Sequence, residues 1–319
     1  MLNKQIITII TVSFLWIAAA QIAFAKKPAG GGGGNHMQRG IELAQQKHFD
    51  AAVAEFTKAI EANPKDARGY ANRGTAYRQG ARTAIAAGDQ EGASTRYQSA
   101  LADFSKYVEL APKDAAGYAE RSQTQDLIRQ YDAALADANK ALELKPDDPS
   151  AIKFRGFAYI GLLQWDKAVA DFTVAIQKDP NDPQSYDRRA WANRNLKNFP
   201  AAVEDYTTLL QKNPNTEDAL VKRGATFAAM MEYEKAIADY QAALKIKPDD
   251  YDTVQRMQYA QGQLAAKNAP PATPTPTPGS SIFTPAKIFF AVVILVIIAV
   301  VVRLMTRGKP EEISSSRIR

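Results

Sequence analysis

The stretch that decides the fold is Pro149 to Asp182, PSAIKFRGFAYIGLLQWDKAVADFTVAIQKDPND. It reads as two helices joined by a tight turn. Small residues stand at Gly156 in the first helix and at Ala168 and Ala175 in the second. Phe154, Tyr159, Leu162, Leu163, Trp165, Phe172 and Ile176 fill the spaces between them. Small against large is what two close-packed helices require, because backbones approach only where a side chain is missing. Pro180 ends the second helix, since the residue before a proline is pushed out of the α region.

The unit recurs along the chain. Prolines close successive copies at Pro64, Pro112, Pro146, Pro180, Pro214 and Pro248, at intervals of 48 residues and then 34 residues four times over. The eighth place of each unit holds Gly40, Gly74, Ser122, Gly156, Ala190 and Gly224. The twentieth is always alanine: Ala52, Ala100, Ala134, Ala168, Ala202 and Ala236. The twenty-fourth holds Phe56, Phe104, Ala138, Phe172, Tyr206 and Tyr240. At the twenty-seventh, Tyr107 and Leu209 depart from the alanine of Ala59, Ala141, Ala175 and Ala243.

A helix–turn–helix unit with this period and register resembles the tetratricopeptide repeat. The resemblance implies an all-α, right-handed superhelical solenoid of six units, at 33–66, 67–114, 115–148, 149–182, 183–216 and 217–250. Second helices begin at Asp50, Asp132, Asp166 and Glu234, with Pro200 in the fifth unit, as the helix dipole and unbonded N–H groups favour. A polar helix at 250–266 closes the last apolar face, so the repeat body is expected over 36–266.

Two further series run in step. The seventh place is arginine in every unit (Arg39, Arg73, Arg121, Arg155, Arg189, Arg223) where the family more usually has leucine. The twenty-third is acidic: Glu55, Asp103, Asp137, Asp171, Asp205 and Asp239. A structural ladder of forked guanidinium–carboxylate pairs is the expectation, each arginine reaching an acid of its own or the preceding unit. The other reading is a charged stripe for a partner. The second unit carries 14 extra residues between Tyr77 and Gln98. Divided evenly, they add about two turns to each helix of the pair, which then projects from one rim. The alternative is a turn at Gly80 and a separate short segment.

The two ends differ from the body. Lys4, an apolar block from Ile6 to Ala20 and the ending Ala23-Phe24-Ala25 form the three-part pattern of a signal peptide over 1–25, with an uncleaved anchor as the alternative. Residues 26–35 carry five consecutive glycines and are expected to be a flexible tether. A Pro/Thr-rich stalk follows the repeats at 267–281. The uninterrupted apolar run Ile288–Val302 is short for a bilayer, but with Ile282, Phe283, Leu304 and Met305 it reaches about 20 residues. A transmembrane helix is therefore expected over 282–305, with Lys287 and Arg303 reaching the interfaces and a basic cytoplasmic tail at 306–319. Both ends give one topology, a single-pass membrane protein with its repeats outside the cytoplasm. A bacterial periplasm fits it.

Charge and composition exclude several functions. The formal charge of +6 is carried by the tails, where ten Lys and Arg face only Glu311 and Glu312, so the body is mildly acidic. Such a body has no footprint for a phosphate backbone, and no nucleic-acid partner is expected. The chain has no cysteine and only His36 and His48. There is no zinc-type cluster, no Cys/His nucleophile and no phosphate-binding loop. No catalytic residue, cofactor or metal site is assigned, and the chain is read as a non-enzyme.

The resemblance implies binding of a protein or peptide segment on the concave surface lined by first helices. Carried over place by place, the groove falls on Lys153, Phe157 and Ile160 of the fourth unit and on Gln184, Asp187, Trp191, Arg194 and Asn195 of the fifth. Arg68, Arg78, Gln123, Asp126 and Leu127 extend it into the second and third. Phe157 and Trp191 fit packing between helices equally well. The family's carboxylate-clamp set is not assembled in any three consecutive units. The expected function is a membrane-anchored adaptor, with a self-assembling structural protein as the alternative.

Overall fold

A proline stands in each of the six junctions that follow a second helix, at Pro64, Pro112, Pro146, Pro180, Pro214 and Pro248. The structure, a computed structural model, describes residues 32–269 and 285–306, and among them are fourteen helices and no strand. Six pairs come first: α1 (Gly32–Gln45) with α2 (Phe49–Ala62), α3 (Ala67–Ala86) with α4 (Gln90–Leu110), α5 (Ala115–Leu127) with α6 (Tyr131–Leu144), α7 (Pro149–Gly161) with α8 (Trp165–Lys178), α9 (Pro183–Asn195) with α10 (Phe199–Lys212), and α11 (Glu217–Ala229) with α12 (Tyr233–Ile246). α13 (Tyr251–Asn268) and α14 (Pro285–Thr306) complete the list. Asp66, Asp114, Asp148 and Asp182 accept backbone N–H bonds at the starts of α3, α5, α7 and α9. These bonds satisfy donors that a helix start leaves open. α2, α8 and α10 each stop two residues before a proline, at Ala62, Lys178 and Lys212.

From α1 to α12 each helix packs on the next, and α13 continues the stack through Ala260 against Ala236 and Tyr240. The alternation of small and large residues sets the spacing. Ala52, Ala100, Ala134, Ala168, Ala202 and Ala236 are all fully buried, and so are Phe56, Phe104, Phe172 and Tyr206. A Cβ on Gly156 would stand 2.9 Å from the Phe172 ring, and one on Gly40 only 2.5 Å from Phe56. The third unit reverses the sizes: Ser122 replaces the glycine, Ala138 replaces the aromatic, and Ser122 Oγ donates to the Ala134 carbonyl at 2.7 Å. Serine fills part of the space that the missing ring leaves and satisfies its hydroxyl on the backbone.

The turn inside each unit has a feature that the sequence does not announce. Lys47, Arg129, Leu163, Lys197 and Met231 all have φ between 58° and 64°, and Gly88 has φ 83°. All five non-glycine residues stand at the fifteenth place of their units, and Gly88 takes the corresponding place in the second. Each is followed by a residue whose N–H closes a six-residue ring, as Gln164 does to the Tyr159 carbonyl at 2.8 Å. This is the left-handed helix ending that normally favours glycine.

The long second unit divides its extra residues evenly. α3 has 20 residues and α4 has 21, against 13 in α5 and 14 in α6. The extension does not stand free: Ala81, Ala84, Ala93 and Tyr97 are buried together, with Leu127 and Ile128 of the next unit against them. At the other end, α1 begins within the glycine run, so Gly32–Asn35 are helical where the sequence suggests tether. Packing explains the difference, because Gly33 sits over Ala62 and His36 Nδ1 lies 2.6 Å from Glu55.

The chain divides at Leu264 into two compact units. No helix among the described residues is long and apolar enough to cross a membrane. In α14 the strictly apolar run Ile288–Val302 rises about 22 Å, against about 30 Å of hydrocarbon in a bilayer. Ile282 and Phe283, which the expected span includes, lie outside the described residues. So do the expected signal segment at 1–25, the stalk beyond Ala269 and the tail beyond Thr306.

The turn and the interlock give one test with opposite signs. Arg129→Gly removes left-handed strain at an exposed position and is expected to raise the unfolding free energy by about 1 kcal/mol in urea melts. Gly156→Ala overpacks the Phe172 contact and is expected to lower it by about 1–3 kcal/mol. Changes of the same sign contradict the assignment.

Candidate functional site

Five of the six arginines at the seventh place are held in one way. Arg155 donates Nε and Nη2 to the two oxygens of Asp171 at 2.8 and 2.7 Å. Arg73 with Asp103, Arg121 with Asp137, Arg189 with Asp205 and Arg223 with Asp239 repeat the fork. Every pair lies within one unit. Three of the arginines also reach back: Arg73, Arg189 and Arg223 donate Nη1 to Thr57, Thr173 and Thr207 of the preceding unit, each at 3.1 Å. An aromatic ring covers each guanidinium, Tyr70, Tyr118, Tyr159, Tyr186 and Phe227 in turn, at 5.7 to 6.0 Å.

The hydrogen bonds that Arg73, Arg121, Arg155 and Arg189 donate to Asp103, Asp137, Asp171 and Asp205 hold their guanidinium pKa values above the ordinary value. Burial pushes the carboxyls of Asp103 and Asp205 up, against the pull of their arginines. The first unit departs from the pattern. Arg39 is exposed, and Glu55 instead takes Lys58 at 2.8 Å and His36 at 2.6 Å. These two partners hold the Glu55 carboxyl down at about 2.

The candidate groove lies among the first helices. Its larger compartment, about 510 Å³, is lined from α3 by Asn72, Arg78 and Arg82, from α5 by Glu120 and Gln123, and from α7 by Lys153 and Phe154. Its smaller compartment, about 320 Å³, has Leu127, Phe157, Ile160, Leu163 and Trp191 as its apolar lining, with Arg82, Asp126 and Arg188 among the charged residues. Arg82, Gln123 and Gln184 line both, so the two adjoin. Within the larger compartment cations are matched: Arg78 pairs with Glu120, and Lys153 Nζ lies 3.3 Å from Asp182.

Of the expected groove residues, Lys153, Phe157, Ile160 and Trp191 line these compartments together, with Arg78, Gln123, Asp126, Leu127 and Gln184. Phe157 serves two roles. It is 7% exposed, packs on Phe172 at 5.4 Å between centroids, and still forms part of the floor. Trp191 stands edge-on to Trp165 at 5.1 Å. Asp187, Arg194, Asn195 and Arg68 line neither compartment. Asp187 is taken by Lys222 of the next unit at 2.7 Å. Arg194 has its Nε buried without a hydrogen-bond partner. Asn195 donates to the Trp191 carbonyl, and Arg68 binds its own helix cap, Asp66.

Arg82, Glu120, Tyr131, Leu163 and Arg188 line the groove without having been expected there. Arg82 exists on a helix only because α3 is extended; thirteen residues from Ala67 would end at Gln79. Arg188 adjoins the ladder position, one place after Asp187 of the expected groove. Its guanidinium lies over the Phe157 ring at 5.8 Å.

Family models described as tetratricopeptide repeat match residues 37–115, 115–148, 184–216 and 217–250, together more than half of the chain. Among solved structures, the chain is similar to that of the APC/C hetero-tetramer Cut9-Hcn1, with a TM-score of 0.60 at 14% identity. That alignment covers 72% of this chain and 42% of the other, so this chain spans less than half of that relative. It is also similar to a tetratricopeptide repeat protein from Parabacteroides merdae ATCC 43184, with a TM-score of 0.51 at 19% identity over 70% and 81% of the two chains. YrrB, a TPR protein with an unusual peptide-binding site, aligns at 23% identity and a TM-score of 0.48 over 65% and 97%. At these identities the likeness concerns the fold alone. No curated protein matches the chain.

Asp126 supplies the test of groove electrostatics. Burial pushes its carboxyl up to about 6, with Arg188 pulling the other way. A carboxyl raised in the folded state costs stability when ionised, fully so above about pH 6 and progressively less as pH falls toward its unfolded value. Asp126→Asn is therefore expected to stabilise the chain by about 1–2 kcal/mol near pH 8, with the gain vanishing below about pH 4, in urea melts across that range. A gain that is independent of pH contradicts the burial argument.

Proposed function

The chain belongs to the tetratricopeptide repeat family, and we propose that it is a binding scaffold that holds a peptide or helical segment of a partner protein. The observation that carries this reading is the pair of adjoining compartments over Phe157, Ile160 and Trp191, with Gln123 and Gln184 spanning them. An apolar floor with a few convergent polar groups is the usual make-up of a recognition site, and aromatic and arginine side chains dominate binding energy in such sites. The function is binding rather than catalysis.

The scaffold is anchored to a membrane in this reading. With Ile282, Phe283, Leu304 and Met305 added, the apolar stretch around Ile288–Val302 reaches about 20 residues. In α14, Phe290 and Leu295 are 67% and 65% exposed, an apolar surface of the kind that calls for cover. The basic residues after it assign the tail to the cytoplasm and the repeats to the other side, with residues 1–25 as the export signal. A second reading, a self-assembling structural protein, is favoured by Tyr251 and Tyr259 of α13, which are 73% and 63% exposed.

A photo-crosslinking amino acid placed at Leu127, at Lys140 or at Tyr259 in the membrane-bound chain separates these readings. The scaffold reading expects adducts to a second protein from Leu127 and none from Lys140, which is exposed on α6. Adducts of twice the chain mass from Tyr259 alone favour self-assembly. Equal adducts from Leu127 and Lys140 overturn the groove. Release of the chain by alkaline extraction of the membranes overturns the anchor.

A further inference from the structure

Two tyrosines stand out on the last helix of the stack. Tyr251 and Tyr259 of α13 are 73% and 63% exposed, and among the described residues 32–264 no other aromatic side chain is exposed. They belong to one face. Residues four apart on a helix return to within about 40° of each other, so Tyr251, Gln255 and Tyr259 form a stripe about 12 Å long. Thr253 and Ala260 are fully buried on the other side, where Ala260 holds α13 against Ala236 and Tyr240. Gln255, itself exposed, is at the centre of the outward face. Each of α1 to α12 carries its successor, and α13 closes the stack. A closing helix has solvent for its outer neighbour and needs a polar face there, which two exposed rings do not supply.

The stripe is symmetric about its middle. In YDTVQRMQY, residues 251–259, the tyrosines stand four places to either side of Gln255. Two such helices laid antiparallel and crossing at Gln255 bring Tyr251 of each copy level with Tyr259 of the other. They also set the two Gln255 amides, each a donor and an acceptor, against one another. Charge selects this direction. Arg256 Nε donates to Asp252 Oδ2 at 2.8 Å along one flank of the stripe, and 45% and 67% of the two side chains are exposed. A parallel pair would set Asp252 beside Asp252 and Arg256 beside Arg256. The antiparallel two-fold keeps like flanks together and reverses the order along them, so Asp252 of each copy approaches Arg256 of the other.

We propose that a second copy of the chain docks on α13, in an antiparallel two-fold contact centred on Gln255. The inference rests on the self-assembly reading above and names its contact. It uses no residue that lines the groove, so paired chains keep both grooves for partners. Tyrosine supplies contact area at low conformational cost, and the charged flank fixes direction. The contact is small beside a standard interface, so the pair is weak and exchanges.

A covalent trap reads such a pair, and because the chain has no cysteine each introduced thiol reports on one position. The full chain in detergent is oxidised with Gln255→Cys or with Lys140→Cys, an exposed position on α6, and the disulfide dimer is measured on denaturing gels. Helices that cross about 8–10 Å apart bring facing Cα atoms within disulfide reach only near the crossing point. Gln255→Cys is expected to give about tenfold more dimer than Lys140→Cys. Adding Arg256→Asp to Gln255→Cys is expected to lower the yield about fivefold, and adding Asp252→Arg as well restores it. Native circular dichroism controls for folding, and an amine-reactive cross-linker on the cysteine-free chain reports association in any geometry. A yield that Arg256→Asp lowers and Asp252→Arg does not restore overturns the antiparallel charge pairing. Dimers from the amine cross-linker, with Gln255→Cys no better trapped than Lys140→Cys, overturn this contact and leave self-assembly standing. No dimer by either route overturns both.

Discussion

A single arginine in each of five successive units determines how this stack is held. Its guanidinium forks onto a buried aspartate of its own second helix, is capped by an aromatic ring, and in three units reaches a threonine of the unit before. Removing one partner of such a pair strands the other charge, at a cost of about 3–5 kcal/mol. The interlock of small and aromatic residues sets which faces meet, and the fork adds a directional constraint to it. A two-pronged bond to a fixed carboxylate is directional because both oxygens must stay in the guanidinium plane. The ladder therefore fixes the register of first and second helices, and in three units its threonine contact ties one unit to the one before. The groove inherits that rigidity. Its floor and rim stand on α3, α5, α7 and α9, whose positions are set by side chains that do not themselves line it.

Around this frame the chain adjusts volume locally. Where the third unit gives up its aromatic at Ala138, it gains Ser122 in place of glycine. Where the second unit lengthens, the added turns bury alanines and Tyr97 against the following unit and carry Arg82 to the groove. The insertion is continuous with the stack and contributes to the groove, which a projecting decoration would not do.

Much of this was legible in the residues. The eighth, twentieth and twenty-fourth places carry small and aromatic residues in register, and that alone fixes which faces meet. The arginine and acidic series run in step, so their pairing was readable; which unit supplies the acid was not, since the neighbouring second helices are both within reach of a long side chain. The first unit breaks the ladder: Glu55 is held by His36 and Lys58, and Arg39 stays exposed. In the groove, place-by-place transfer found Lys153, Phe157, Ile160 and Trp191. It could not find Arg82, because an insertion has no counterpart in a standard unit. It carried Arg194 and Asn195 to the groove, although both sit at the end of α9, where one bonds its own helix and the other has its Nε buried. Outside Gly88, the left-handed residue of the turns left no trace in composition, because lysine, arginine, leucine and methionine occupy a place where glycine would have signalled it.

The claim that one side chain couples neighbouring units is most directly tested by site-resolved native-state hydrogen exchange on Arg189→Leu. Arg189 touches Asp205 and Thr173 but lines neither groove compartment. The account predicts that protection falls together in α8, α9 and α10, on both sides of the boundary between the fourth and fifth units, while α1 to α4 keep theirs. Loss confined to α9 and α10, with α8 unchanged, would contradict it.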